Sequence, residues 1–361
     1  MNRKKNAIVY CEGAFNTPIG KTAHGLVRFT RRYRVLSVID SRFEGEDAGF
    51  ILDRQEKGIK IHKNVEEAYN DALNRKIKPD CFIIGIAPDG GRLSEKDRTE
   101  VKKAVKMGLD VVSGLHDYLS EDSEIAGLAQ LCGSYLTDIR KPRPVKDLHF
   151  FTGNIEKVKA LKIAILGTDS AVGKRTTAWI LADSLIERGY KVEMIGTGQT
   201  AWLQGAEYSI VLDSIINDFV SGEIENAVCR AYTEKNPDII IIEGQGSLMN
   251  PAYPGGFEIL AAGRPDIIVL QHAPGRKAYD GFPGYPLHPL ERQLEALEII
   301  SGKPVIAVTI NHEDIPLDQM PLVCSALEKK TGIPVIDPFS ADIHRLAFLV
   351  IDFLKQRLSN D

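Results

Sequence analysis

Two α/β domains in series, each built on a parallel sheet, are what this sequence predicts. Three observations carry that expectation. Short apolar runs alternate with amphipathic stretches through the first 138 residues. A basic segment broken by two prolines, IRKPRPVKDLH at 139–149, interrupts the alternation. A second alternating series then fills the rest of the 361 residues. Strand and helix in alternation build a parallel sheet covered on both faces.

In the first series, residues 7–10, 35–40, 81–86 and 109–113 read as buried strands. Residues 20–30, 65–75 and 94–107 read as the helices between them, with Ser94 and Asp97 spaced as a helix start. The proline-broken segment makes 139–150 a linker between a domain at 1–138 and a domain at 151–361. In the second series the strands are 162–166, 191–195, 239–243, 267–271, 305–310 and 334–337. The helices are 174–188, 215–234, 290–300, 319–330 and 341–357.

Composition narrows the class. Hydrophobic residues make up 43% and charged residues 26%, as in ordinary globular proteins. The 45 Lys+Arg balance 49 Asp+Glu, so no basic face for nucleic acid or a membrane surface is expected. The five cysteines form no C-x-x-C pair, so zinc and dithiol chemistry lack their spacing. No apolar run approaches the length of a signal peptide or a membrane span. A cytoplasmic protein that forms a homo-oligomer is expected.

The sharpest signal is LKIAILGTDSAVGKRTTAWILADSLIERG, at 161–189. An apolar strand ends at Gly167, a polar turn ends at Gly173-Lys174, and an amphipathic helix follows. That is the context of a P-loop. Its backbone N–H groups and the helix N-terminus cradle phosphate oxygens. The residues expected at phosphate are Gly167, Thr168, Asp169, Ser170, Ala171, Val172, Gly173, Lys174, Arg175, Thr176 and Thr177. Gly167 stands one residue early for G-x-x-x-x-G-K, and Arg175 takes the place of the hydroxyl that ligates Mg²⁺. The second half is thus P-loop NTPase-like, and no protein-held metal site is expected.

Three more polar, glycine-rich loops follow strands: GTGQTAWLQG at 196–205, EGQGSLMNP at 243–251 and QHAPGRKAYDGFPGYPLHP at 271–289. Ligands of open parallel sheets bind outside the carboxyl ends of the strands. Glu243 ends a four-isoleucine run where P-loop proteins place an acid. It is a candidate catalytic carboxylate or a helix cap. His272 is a candidate general base or a loop-bonded imidazole. Gln199, Thr200, Asp213, Gln245 and Arg276 are candidates for substrate binding, and Gln199 and Gln245 equally suit bonds to their own loop backbone. Asp213 equally suits a helix N-cap, and Arg276 a salt bridge.

The first half is Rossmann-like, but the G-x-G-x-x-G of dinucleotide binding is missing from its first strand–helix turn. Nothing in it names a ligand.

GTDSAVGK resembles the P-loop of dethiobiotin synthetase and its MinD-like and cobyric-acid-synthase-like relatives. The ordered set GTDSAVGKRTT, GTGQT, DSIINDFVSGEIE, IIEGQGSL and HAPGRK resembles a two-domain family of formerly unknown function. That family joins a Rossmann-like half to a P-loop half and includes N-acetyltransferases of D-glutamate and related D-amino acids. The resemblance implies acetyl-CoA as cofactor, its phosphates at the P-loop, and a small amino acid as substrate. The alternatives are an ATP-dependent ligase or kinase that activates a carboxylate with Mg·ATP, and a nucleotide-binding protein of other activity.

Overall fold

A computed structural model describes residues 3–360 as two compact units. One unit runs up to Arg143 and takes in Gln199–Ala206; the other comprises Pro144–Gly198 and the chain from Glu207 onward.

The first unit holds β1 (Lys5–Tyr10), α1 (Lys21–Arg28), β2 (Tyr33–Ile39), α2 (Ala48–Asp53), β3 (Lys60–His62) and α3 (Val65–Asn74). It continues through β4 (Cys81–Ile84), α4 (Glu95–Lys106), β5 (Asp110–Ser113), α5 (Ser123–Cys132) and β6 (Leu136–Asp138). The six strands pair in the order β3-β2-β1-β4-β5-β6, all parallel. This is the doubly wound order, which reverses direction beside β1. Its core is Ile, Val and Phe from both sheet faces, with Ile8, Phe82 and Ile83 fully buried. Ser94 and Asp97 do start a helix: the Ser94 hydroxyl accepts from the Asp97 N–H at 3.2 Å, and the Asp97 carboxylate accepts from the Ser94 N–H at 3.0 Å. The short strands β3 and β6 escape the sequence pattern. Three residues are too few to show a period.

The second unit holds β7 (Leu161–Gly167), α6 (Lys174–Glu187), β8 (Val192–Gly196), then, after the helix α7 (Gln199–Gln204) of the first unit, β9 (Tyr208–Ser209) and α8 (Asn217–Lys235). It continues through β10 (Ile239–Glu243), α9 (Phe257–Gly263), β11 (Ile267–His272), the hairpin β12 (Ala278–Tyr279) and β13 (Phe282–Pro286), and α10 (Leu290–Ser301). β14 (Val305–Ile310), α11 (Met320–Thr331), β15 (Val335–Ile336) and α12 (Ile343–Asn360) complete it. The order β15-β14-β11-β7-β10-β8-β9 is wholly parallel and puts β7 at the centre. The loops after β7, β10 and β11 therefore leave from adjacent strand ends.

Residues 151–361, expected as one unbroken domain, are interrupted: α7 lies in the first unit. Its Gln204 amide donates to the carbonyls of Gly25 at 2.8 Å and Phe29 at 3.1 Å, and Arg32 stacks over Trp202 at 4.1 Å. At the other end of the expected linker, two buried carboxylates of α8 fasten the chain. Glu223 accepts from the His149 N–H at 2.9 Å, and Glu225 from the Thr152 and Ile155 N–H groups at 2.6 and 3.1 Å.

Candidate functional site

The central strand β7 delivers Gly167, the loop that follows it, and Lys174 at the start of the 14-residue helix α6. Lys174 is buried, and its Nζ donates to the carbonyls of Asp169 and Gly246, each at 2.7 Å. A side chain at Gly167 would bring a Cβ within 2.9 Å of that Nζ, so glycine is what lets the lysine fold back over the strand end. The backbone N–H groups of Gly173 and Lys174 have no acceptor among the described residues. Together with the helix N-terminus they form a row of donors suited to an anion. Ala171 holds a left-handed φ of 54°, a conformation that concentrates at ligand-binding loops.

Asp169 knots this loop to two others. Its fully buried carboxylate accepts from Ser170 N (2.7 Å), Asn250 Nδ2 (2.8 Å), Arg276 Nη1 (2.8 Å) and Asp280 N (2.7 Å). Arg276 also donates to the Ser170 carbonyl at 2.7 Å and to Glu313 at 3.1 Å. Burial works against its charge, but Glu313 and Asp169 outweigh it and raise the guanidinium pKa. Arg276 thus braces the loop, and its donors are engaged by protein.

Glu243 closes β10 and is buried. Burial raises its pKa, while the positive charges of Arg175 and Lys174 and the Thr197 N–H pull it back. Burial also pushes Lys174 down to about 8 from an ordinary 10.5, with Glu243 and Asp169 supporting the cation. Thr197 ties β8 to this strand end, its hydroxyl donating to the Glu243 carbonyl at 3.0 Å and its own carbonyl accepting from Gln245 Nε2 at 2.5 Å.

His272 closes β11. Its Nδ1 lies 3.0 Å from the Thr168 hydroxyl, and burial pushes its pKa down to about 4. The imidazole is therefore neutral at pH 7 and bonded to the phosphate loop. Thr177 is likewise committed, its hydroxyl donating to Gln271 Oε1 at 2.5 Å.

A pocket of about 300 Å³ adjoins Gly167. Its apolar walls come from Leu166, Leu248, Met249, Ala296 and Leu297, and its polar members are Gln245, Ser247, His288, Arg292 and Gln293.

The model of a domain of unknown function, the DUF1611 C-terminal P-loop domain, matches residues 149–347, and its Rossmann-like N-terminal companion matches residues 41–142. The chain belongs to the DUF1611 family. It is 32% identical over 270 residues to a D-glutamate N-acetyltransferase of Pseudoalteromonas sp, covering 73% of this chain and 79% of the relative. A D-glutamate N-acetyltransferase of Tritonibacter scottomollicae is 29% identical over 273 residues, with the same coverage. The crystal structure of a DUF1611 family protein from Anabaena variabilis shares the architecture with a TM-score of 0.88 at 28% identity, covering 97% of this chain and 100% of that one.

In this DUF1611 chain the second unit brings together the phosphate loop, Glu243, Gln245, His272 and Arg276. Gln199 and Thr200 open α7 in the first unit, where the Thr200 hydroxyl lies 3.4 Å from that of Thr22. Asp213 is exposed in a short turn, and α8 begins four residues later behind Ile216, so Asp213 does not cap it. Three amides, the buried Gln271 and Asn250 and the half-buried Asn311, are not among the residues expected at the site. Gln271 accepts from Thr177 and from Thr309 (2.6 Å), Asn311 donates to the Val172 carbonyl (2.8 Å), and Asn250 holds Asp169. Gln271 had a signal: with His272 it ends a strand whose first four residues are all apolar. No helix among the described residues is long and apolar enough to cross a membrane.

Proposed function

We propose that this chain is an N-acetyltransferase that moves the acetyl group of acetyl-CoA to D-glutamate or a related amino acid. The likeness to the curated D-glutamate N-acetyltransferases is the observation that carries the reaction. The phosphate loop supports the donor: unclaimed N–H groups, the helix start and Lys174 suit the phosphates of a coenzyme A nucleotide. Arg175 stands where a Mg·ATP enzyme carries its metal-ligating hydroxyl, which supports holding phosphate over cleaving it.

Acetyl-CoA supplies an acetyl group activated as a thioester. The acceptor amine forms a C–N bond to the carbonyl carbon, the C–S bond breaks, and the proton lost by the amine ends on the departing thiolate. Glu243 is our choice for carrying that proton, because burial raises its carboxyl pKa above the ordinary carboxylate value and makes it a better proton acceptor. His272, held near 4, is the weaker base and serves to position Thr168.

A second reading, an ATP-dependent ligase or kinase, is favoured by one feature. Glu243 ends the strand beside β7, where such enzymes support Mg²⁺. Release of free thiol from acetyl-CoA, followed with a chromogenic disulfide, tests the first reading: the rate must depend on an added amino acid. Amino-acid-dependent ADP or AMP formation with no thiol release would replace it by the second.

A further inference from the structure

The pocket beside Gly167 shares a wall with the phosphate loop. Gly246 lines it, and the carbonyl of Gly246 is the one that holds Lys174 Nζ at 2.7 Å. About 300 Å³ is the lower end of the range for small-molecule pockets. That volume suits one amino-acid-sized molecule.

Its chemistry is one-sided. No Asp or Glu lines it, and Arg292 is its single guanidinium, exposed and without an ion-pair partner among the described residues. His288 is already engaged, with Nδ1 at 2.9 Å from the Tyr279 hydroxyl. Two amides join them, Gln245 and Gln293, whose Nε2 groups donate to the Thr197 and His288 carbonyls, and apart from Ser247 the rest of the lining is aliphatic or glycine. Ser247 also lines the pocket, is 3% exposed, and its Oγ has no hydrogen-bond partner among the described residues. A buried hydroxyl without a partner is costly, and a bound ligand is one way to satisfy it.

We propose that this pocket is the acceptor site, and that it takes an amino acid with one carboxylate and an apolar side chain of leucine to phenylalanine size. The proposal rests on the acetyl-transfer part of that reading and departs from it in the acceptor, which it takes to be an apolar amino acid in place of glutamate. The carboxylate meets Arg292, the amine meets the Ser247 hydroxyl, and the side chain lies among Leu248, Met249 and Leu297. A second carboxylate, as in glutamate, would lie against those aliphatic walls with no second guanidinium to pair it, and burying an unpaired charge is strongly unfavourable. The shared Gly246 wall puts the acceptor next to the donor's phosphates.

The test is calorimetric titration of the full chain with leucine, phenylalanine and glutamate, each as both enantiomers, with and without coenzyme A. One enantiomer of leucine or phenylalanine is expected to bind at least about 10-fold tighter than either glutamate. Arg292→Gln, at an exposed position, is expected to weaken that binding by about 10-fold or more, as loss of a charge-assisted contact does. Ala296→Phe, which fills the pocket, is expected to abolish it. Both variants should keep the melting-temperature rise given by acetyl-CoA. Tighter binding of glutamate, or binding indifferent to both substitutions, overturns the proposal. So does an acetyl-CoA response lost in Ala296→Phe, which would give the pocket to the donor. Failure of the acetyltransferase reading shows separately, as amino-acid binding with no Lys174-dependent response to acetyl-CoA.

Discussion

Lys174 Nζ donates to the carbonyl of Gly246 at 2.7 Å, although 72 residues separate the two. The bond joins the phosphate loop after β7 to the loop after β10. With the bond to the Asp169 carbonyl it holds the lysine against two backbone oxygens.

Lys174→Ala should therefore weaken binding of the phosphate-bearing ligand. Its charge-assisted contacts are worth roughly 1.5–3 kcal/mol, or about 10–150-fold in affinity. Calorimetry with coenzyme A measures this, with circular dichroism to verify the fold. Unchanged affinity would remove phosphate from the loop.

The same lysine sets a pH dependence. Its folded pKa of about 8 lies below the ordinary 10.5, so the unfolded chain binds the extra proton between these values and stability rises with pH across that window. A phosphate ligand favours the cation and raises the pKa again. Coenzyme A binding should accordingly take up a proton and weaken as pH climbs above about 8. Titrations in buffers of different ionisation enthalpy count that proton. A count of zero at pH 8–9 would contradict it.

His272 works in the opposite pH range. Burial lowers its pKa from 6.5 to about 4, so the unfolded chain protonates first as pH falls and stability is lost from about 6.5 down to about 4. His272→Gln should flatten that part of the melting-temperature profile. An unchanged profile would mean that other groups cause the loss.

Gly246 holds a φ of +55°, and a Cβ there would stand 2.1 Å from the Tyr253 carbonyl oxygen. Gly246→Ala should cost about 1–3 kcal/mol of stability and also displace the acceptor of Lys174. Thermal unfolding would show it as a fall of roughly 2–4 °C per kcal/mol. A wild-type melting temperature would show that the loop gives way freely.

The parallel-sheet architecture was legible in the sequence because buried strands such as Ile239–Glu243 are nearly pure aliphatic runs, bounded by glycine or polar residues. The phosphate loop was legible because strand, glycine turn and helix follow one another within 161–189. Long-range partners were not. Nothing local says that Asp169 will meet Asn250, Arg276 and Asp280, or that Arg276 will be spent on Asp169 and Glu313 and not left for substrate. Gln199 and Thr200 were expected in a loop after a strand and open a helix. Their helix packs through Trp202, Leu203 and Gln204 with the first unit, a pairing that depends on residues some 170 positions earlier.

Acetyl-CoA added to the metal-free protein in a thermal-shift experiment tests the central claim most directly. A ligand at 100 times its dissociation constant adds about 2.7 kcal/mol to the native state. For a unit near 200 residues that raises the melting temperature by about 5–10 °C. Acetyl-CoA should do this with EDTA present, Lys174→Ala should abolish it, and Mg·ATP should give a smaller rise. A larger rise with Mg·ATP than with acetyl-CoA would contradict the acetyltransferase and favour an ATP-dependent enzyme.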